Sequence, residues 1–211
     1  GEDTLSLHDA LPIFCCTSGN ALKVVESLGV ERVIMLPDEY LAQNIAAQTN
    51  VKIIAWKGAC EVHERFTGDE LRAYREADPS VQIIAHPECP DALLAHAHHI
   101  GSTSSLLKYT ETHPGKTFLV MTEPGIFHQM QKRSPGSTFI GVPGIGDAGC
   151  VSCNNCPYMK LNTMEKLYLC MKNQAPEIIL PEALMDAARK PLERMLKMSA
   201  LIPPAALSQK D

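Results

Sequence analysis

Short aliphatic runs alternate with amphipathic stretches along most of the chain, and this alternation constrains the fold more than any other feature. Arg32–Leu36, Lys52–Ala55, Val81–Ala85 and Thr117–Met121 are apolar at nearly every successive position, so an extended strand there is apolar on both faces. Such strands belong in a sheet covered on both sides. Further strands are predicted at Phe14–Cys16, His98–Ile100, Thr138–Ile140 and Glu177–Leu180. Helical spacing predicts helices over Ala21–Leu28, Glu39–Gln48, Gly68–Ala77, Asp91–His96, Ser104–Thr112, Gly125–Arg133, Met164–Met171 and Pro181–Leu196. Strands separated by helices give an α/β fold class: three-layer αβα units with parallel sheets, followed by a C-terminal helical segment.

Composition narrows the classes of function. The 211 residues are 45% hydrophobic and 20% charged, enough to bury a core. Acids outnumber bases 24 to 19, for a net charge of −5, so the basic footprint of a general nucleic-acid binder is absent. No apolar run reaches the ~18 residues that cross a membrane. Aromatics are only 5%, so the core is aliphatic, with nine methionines to fill gaps. Eight cysteines are too few for a disulfide scaffold of this length. They read instead as free or metal-binding thiols in a reducing compartment, with a cytoplasmic location expected.

The opening Thr4-Leu5-Ser6-Leu7-His8-Asp9-Ala10-Leu11-Pro12-Ile13 has neither the charge nor the apolar block of a secretory leader. It matches the conceptual translation of a common sequencing adapter, so residues 1–13 are expected to be an artefact or a disordered arm. Beyond them lies an internal repeat. A shift of 85 residues lays 17–55 over 102–140 without a gap. Thr17-Ser18 then falls on Ser102-Thr103, Leu22-Lys23 on Leu107-Lys108, Glu26 on Glu111 and Asp38 on Glu123. Two copies of one α/β unit are expected, with Ser18 and Thr103 equivalent. The division that follows is a partial unit over 14–59, a second unit over 60–149, and a cysteine loop with helical tail over 150–211.

Chemistry-bearing residues cluster after predicted strands, where open parallel sheets bind ligands. Cys60 and His63, in W-K-G-A-C-E-V-H, are three apart and able to face one site; a purely structural pair has the same look. His86-Pro87-Glu88 makes a rigid turn carrying a base and an acid that can move protons, or simply a solvated turn. Ser18 and Thr103 put hydroxyls at helix starts, as anion holders or as plain caps. Cys150, Cys153 and Cys156 form C-x2-C-x2-C on a glycine-rich loop, a spacing suited to one metal centre or to a redox-active pair. His96, His98 and His99 read as surface histidines, and Cys15, Cys89 and Cys170 as small buried residues.

Taken in order, C-T-S-G-N-A, L-P-D-E-Y-L, W-K-G-A-C-E-V-H, H-P-E-C-P, G-S-T-S, T-E-P-G-I, C-x2-C-x2-C-P-Y-M-K and P-L-E-R-M-L resemble the quinolinate synthase A family, from Cys16 to about Met198. The resemblance implies an enzyme of NAD biosynthesis that condenses iminoaspartate with dihydroxyacetone phosphate to quinolinate, phosphate and water. It implies three similar α/β units about a pseudo-threefold axis, each giving one cysteine to a [4Fe–4S] cluster. The 85-residue repeat then represents two of the three, the first incomplete. On this basis Cys60 and Cys156 match cluster ligands, and Cys150 with Cys153 become a possible redox disulfide. Ser18, His86, Pro87, Glu88 and Thr103 match substrate-holding positions, with Glu88, His86 and His63 as the catalytic candidates.

No segment here matches the family's first unit or its cysteine, so the chain is expected to be a truncated fragment, inactive by itself. A functional link to an L-aspartate oxidase is expected, with no nucleic-acid or membrane partner. The competing reading is a non-catalytic metal- or redox-binding α/β module, using Cys150, Cys153 and Cys156 around zinc or as a thiol switch.

Overall fold

The structure, a computed structural model, describes residues 13–142 and 154–200. In chain order the elements are α1 (Ala21–Ser27), β1 (Arg32–Met35), α2 (Glu39–Ala46), β2 (Lys52–Ala55), α3 (Gly68–Ala77), β3 (Gln82–Ala85), α4 (Asp91–Leu94), β4 (His99–Ile100), α5 (Thr103–Thr112), β5 (Thr117–Met121), α6 (Phe127–Arg133), β6 (Thr138–Gly141), α7 (Met164–Asn173) and α8 (Glu182–Ala200). They fall into two compact units. One is Val30–Thr163; the other joins the described residues up to Gly29 with those from Met164 onward.

The larger unit holds two parallel sheets, β1-β2 and β4-β3-β5-β6. Every strand pairing is parallel, as two-faced apolar strands require. The four-stranded sheet is the middle layer of an αβα sandwich. Alternate residues Ile83, Ala85, Leu119 and Met121 point to one core with Val62, Phe66, Leu71, Leu93 and Leu94. The intervening Ile84, Phe118 and Val120 point to a second core with Leu106 and Met130. The period-2 alternation of side chains thus feeds both layers from the same strands. In the smaller unit α1 packs on α8, burying Ala21, Val24, Val25 and Pro191, and the Asn20 amide donates to Ser199 Oγ at 3.2 Å.

The sheets also test the gapless shift. Arg32 pairs with Lys52, whereas Thr117 pairs with Thr138, so the later strand pair has one more residue between its partners than the earlier pair. Thr103 opens α5 as expected, but Ser18 lies in the turn before α1, whose N-cap is Asn20. Two predicted strands are not formed. Phe14–Cys16 and Glu177–Leu180 are irregular, and Ile178 and Ile179 are 86% and 80% exposed. Among the described residues no strand lies beside either to complete a ladder. Prolines at 176 and 181 also withhold N–H groups at both ends of the second run.

Candidate functional site

The C-terminal ends of β1, β2, β3 and β5 each release a polar residue into the same region of the larger unit. After β1, Asp38 caps α2: its Oδ1 accepts the Leu41 N–H at 2.7 Å, and its Oδ2 accepts the Cys60 N–H at 3.0 Å. After β2 the chain crosses close to that cap, with the Glu39 N–H donating to Gly58 O at 2.7 Å. Cys60 then opens a turn closed by the Glu64 N–H to Cys60 O at 3.0 Å, and that turn carries His63. After β3, the His86 N–H prolongs the ladder to Met121 O, and the Cys89 N–H to His86 O closes a turn that presents Glu88. After β5, Thr122 Oγ1 meets His63 Nε2 at 3.0 Å.

These elements converge on one carboxylate. His63 Nδ1 lies 3.2 Å from Glu88 Oε2, and His86 Nδ1 lies 3.7 Å from the same oxygen. The two imidazoles stack with centroids 4.8 Å apart and planes 9° from parallel. Burial works against a charge on His63, yet the adjacent Cys60 thiol and Glu88 carboxylate prevail and raise its pKa to about 9. Burial, and then the charge on His63, push His86 below its ordinary value despite Glu88. Burial would raise Glu88, but the His63 hydrogen bond and the two imidazoles hold it low. His63 likewise holds the Cys60 thiol below its usual range, assisted by the N–H groups of His63 and Val62 and opposed by burial. At neutral pH the array is therefore an imidazolium between a carboxylate and an acidified thiol, with a neutral imidazole stacked on it.

Ligating atoms of Cys60, His63 and Glu88 lie within 4.8 Å of one another, a donor set able to hold a metal ion. Cys60 and Cys156 both pack, half-buried, against the apolar cluster around Leu119 and Met121. Two half-buried thiols packed on one core are donors of the kind that ligate a metal group. A cavity of about 230 Å³ lined by Leu71, Arg72, Arg75, Glu76 and His96 includes none of these residues.

Of the residues singled out from sequence, Cys60, His63, His86 and Glu88 are brought together. Pro87 is buried within the same turn, whereas Thr103 is exposed at the start of α5 and Ser18 belongs to the smaller unit. Cys150 and Cys153 lie outside the described residues. Cys89 is buried as expected, but Cys15 is only half-buried and Cys170 is exposed on α7. His98 and His99 have structural partners: the Ile83 N–H donates to His98 Nδ1 at 2.9 Å, and His99 stacks on Tyr109. Asp38 and Thr122 were not foreseen as part of the site; a carboxylate between a strand and a helix was the available sign for Asp38.

A family model described as Quinolinate synthetase A protein matches residues 8–197. The chain belongs to this family. It is 49% identical over 191 residues to a quinolinate synthase of Thermosynechococcus vestitus, a match covering 90% of this chain and 59% of the relative. A quinolinate synthase of Synechocystis is also 49% identical over 191 residues, with the same coverage. One from Ehrlichia chaffeensis is 47% identical over 185 residues, covering 87% of this chain and 59% of its own length. The chain thus spans about three-fifths of the length of these curated relatives. Among the described residues no helix is long and apolar enough to cross a membrane.

Proposed function

We propose that this chain forms part of a quinolinate synthase, condensing iminoaspartate with dihydroxyacetone phosphate to quinolinate, phosphate and water in the cytoplasm. The observation that carries the reading is the meeting of His63, His86 and Glu88 beside Cys60 at the strand ends. Imine formation, enolisation and dehydration all need protons delivered and removed at one place. Charged His63 is suited to deliver a proton, neutral His86 to accept one, and Glu88, shared by both, to pass it between them. Ser18, Pro87 and Thr103 are assigned to the substrate's carboxylates and carbon skeleton by family resemblance.

Cys60 and Cys156 are the residues that would hold a [4Fe–4S] cluster, as two of three cysteines in a pseudo-threefold enzyme whose α/β units include the two repeats. When bound, such a cluster supplies an open iron acting as a Lewis acid on a hydroxyl or carboxylate oxygen. An L-aspartate oxidase, which makes iminoaspartate, is the expected functional neighbour.

The test is a chimera in which residues 14–200 replace the matching part of the Thermosynechococcus relative. Loaded anaerobically with iron and sulfide, it should form quinolinate. Glu88→Gln should lower kcat by ~10²–10⁴, the usual worth of a general acid–base group. A folded, cluster-loaded chimera without quinolinate formation would overturn the reading.

A further inference from the structure

Asp38 and Glu123 fall on one another under the 85-residue shift, and each grips two segments at once. Asp38 follows β1; one oxygen caps α2 through the Leu41 N–H, and the other accepts the N–H of Cys60, 22 residues further on. Glu123 follows β5. Its Oε2 accepts the Gly125 N–H at 2.6 Å, capping the short 3-10 turn Pro124–Ile126. Its Oε1 pairs with Lys160 Nζ at 3.0 Å, and the Lys160 N–H donates to Cys156 O at 3.1 Å. Lys160 therefore sits one turn beyond Cys156, so the second carboxylate holds the second cysteine segment.

A plain helix cap uses one carboxylate oxygen. Here the other oxygen reaches, in both cases, to the segment bearing a cysteine of the proposed site. Asp38 is 6% exposed and the Glu123 side chain 13%. Carboxylates so withdrawn from water need partners. Asp38 has a hydrogen bond on each oxygen, whereas Glu123 Oε1 is buried without a hydrogen bond and has the Lys160 ammonium as its ion-pair counterpart. Drift of either segment therefore strips a buried oxygen of its partner. Metal–sulfur bonds tolerate ~0.2 Å of misplacement, which makes supports of this kind matter to a thiolate site.

We propose that Asp38 and Glu123 are matched positioning residues, straps that fix the Cys60 and Cys156 thiols on the strand ends before any metal arrives. Their importance for a cluster rests on the family reading of those two thiols as ligands; the strapping itself does not.

The test is residue-resolved alkylation of the metal-free chain with iodoacetamide, read by peptide mass spectrometry beside the thermal unfolding midpoint. Asp38→Asn keeps an oxygen for the α2 cap but turns an amide toward the Cys60 N–H. Cys60 should react several-fold faster while Cys156 and buried Cys89 keep their rates. Glu123→Gln and Lys160→Gln should each accelerate Cys156 several-fold and leave Cys60 alone, and Lys160→Arg, which retains the pair, should restore the parent rate. If Asp38→Asn does not fold, Asp38→Ser, a good cap too short to reach Cys60, gives the same readout.

Equal acceleration at every cysteine, Cys89 included, would show general loosening and overturn the proposal, as would unchanged rates at Cys60 and Cys156. Because the protein is metal-free, this outcome is separate from that of the chimera. Cysteine-specific changes without quinolinate formation keep the straps and remove the enzyme reading. Quinolinate formation with no cysteine-specific change does the reverse.

Discussion

His63 is the residue on which the site's protonation turns. Its folded-state pKa lies near 9, above the ordinary 6.5, because the Cys60 thiol and the Glu88 carboxylate outweigh burial. A base with a raised folded pKa adds stability that is fully present below ~6.5 and lost as pH rises through the folded value. For a shift of this size the contribution is at most ~3 kcal/mol. Unfolding midpoints of the metal-free chain and His63→Gln should differ most at about pH 6, less at pH 8, and converge by pH 10. A gap that stays constant over that window would exclude the buried ion pair. Glu88→Gln should also bring the His63 titration back toward 6.5 by ~1 unit or more, followed through its ring-proton shifts. His86 has the opposite sign: held neutral by burial and by His63, it costs stability as pH falls below its ordinary value.

At the scale of elements, what was legible in the sequence depended on whether an element is decided locally. β2, β5 and α3 have the bounds that their apolar runs and helical spacing predict; β5 buries the residues it displays and α3 buries Leu71, while β2 is held by its ladder to β1 with most of its side chains exposed. Glu177–Leu180 reads as a strand by propensity alone, but a strand also needs a partner, and none adjoins it among the described residues. The site was half legible for the same reason. His63 and Cys60 share a turn, which spacing reveals, and so do His86 and Glu88; that the two turns meet is a consequence of strand order, which spacing does not carry. Asp38 is legible as a match to Glu123 and as a carboxylate between a strand and a helix, but neither sign reveals its bond to the Cys60 N–H, 22 residues away. The close crossing at Gly58 offers a test at this scale. A Cβ there would lie 2.5 Å from the backbone oxygen of Pro37, an atom that cannot swing aside. Gly58→Ala should therefore cost ~1–3 kcal/mol, the usual price of overpacking, and loosen the Cys60 turn. Gly68→Ala, where the nearest atom is a Leu93 methyl at 3.7 Å, should change stability by less than ~1 kcal/mol. Equal effects in thermal unfolding would show that the crossing is not tight.

For the molecule as a whole, the question is where apolar surface is left facing water. Helical spacing puts Leu184, Ala187, Ala188, Leu192, Met195 and Leu196 in one stripe along α8. In the structure Leu184, Ala187, Ala188 and Met195 are half-buried, and of that stripe only Leu192 and Leu196 are exposed, at 47% and 62%. The two-stranded sheet carries the sharper case. Ile34 and Ile54 are cross-strand partners, 71% and 43% exposed, with Trp56 at 60% close by in sequence. Apolar residues on a sheet face normally lie against a second layer, and such patches in water favour self-association. The chain in isolation should accordingly bind a hydrophobic dye and associate as its concentration rises. Ile34→Thr with Ile54→Thr keeps β-branched residues in both strands while removing apolar area, so dye binding and association should fall with stability changed by less than ~1 kcal/mol. Ile84→Thr, in a fully buried position on β3, should instead cost ~2 kcal/mol or more by leaving a hydroxyl in an apolar core. Dye fluorescence and light scattering that do not respond to the double substitution would move the associating surface from this sheet to the other exposed apolar residues, Met164, Leu167 and Met171 on α7 and the Ile178-Ile179 pair.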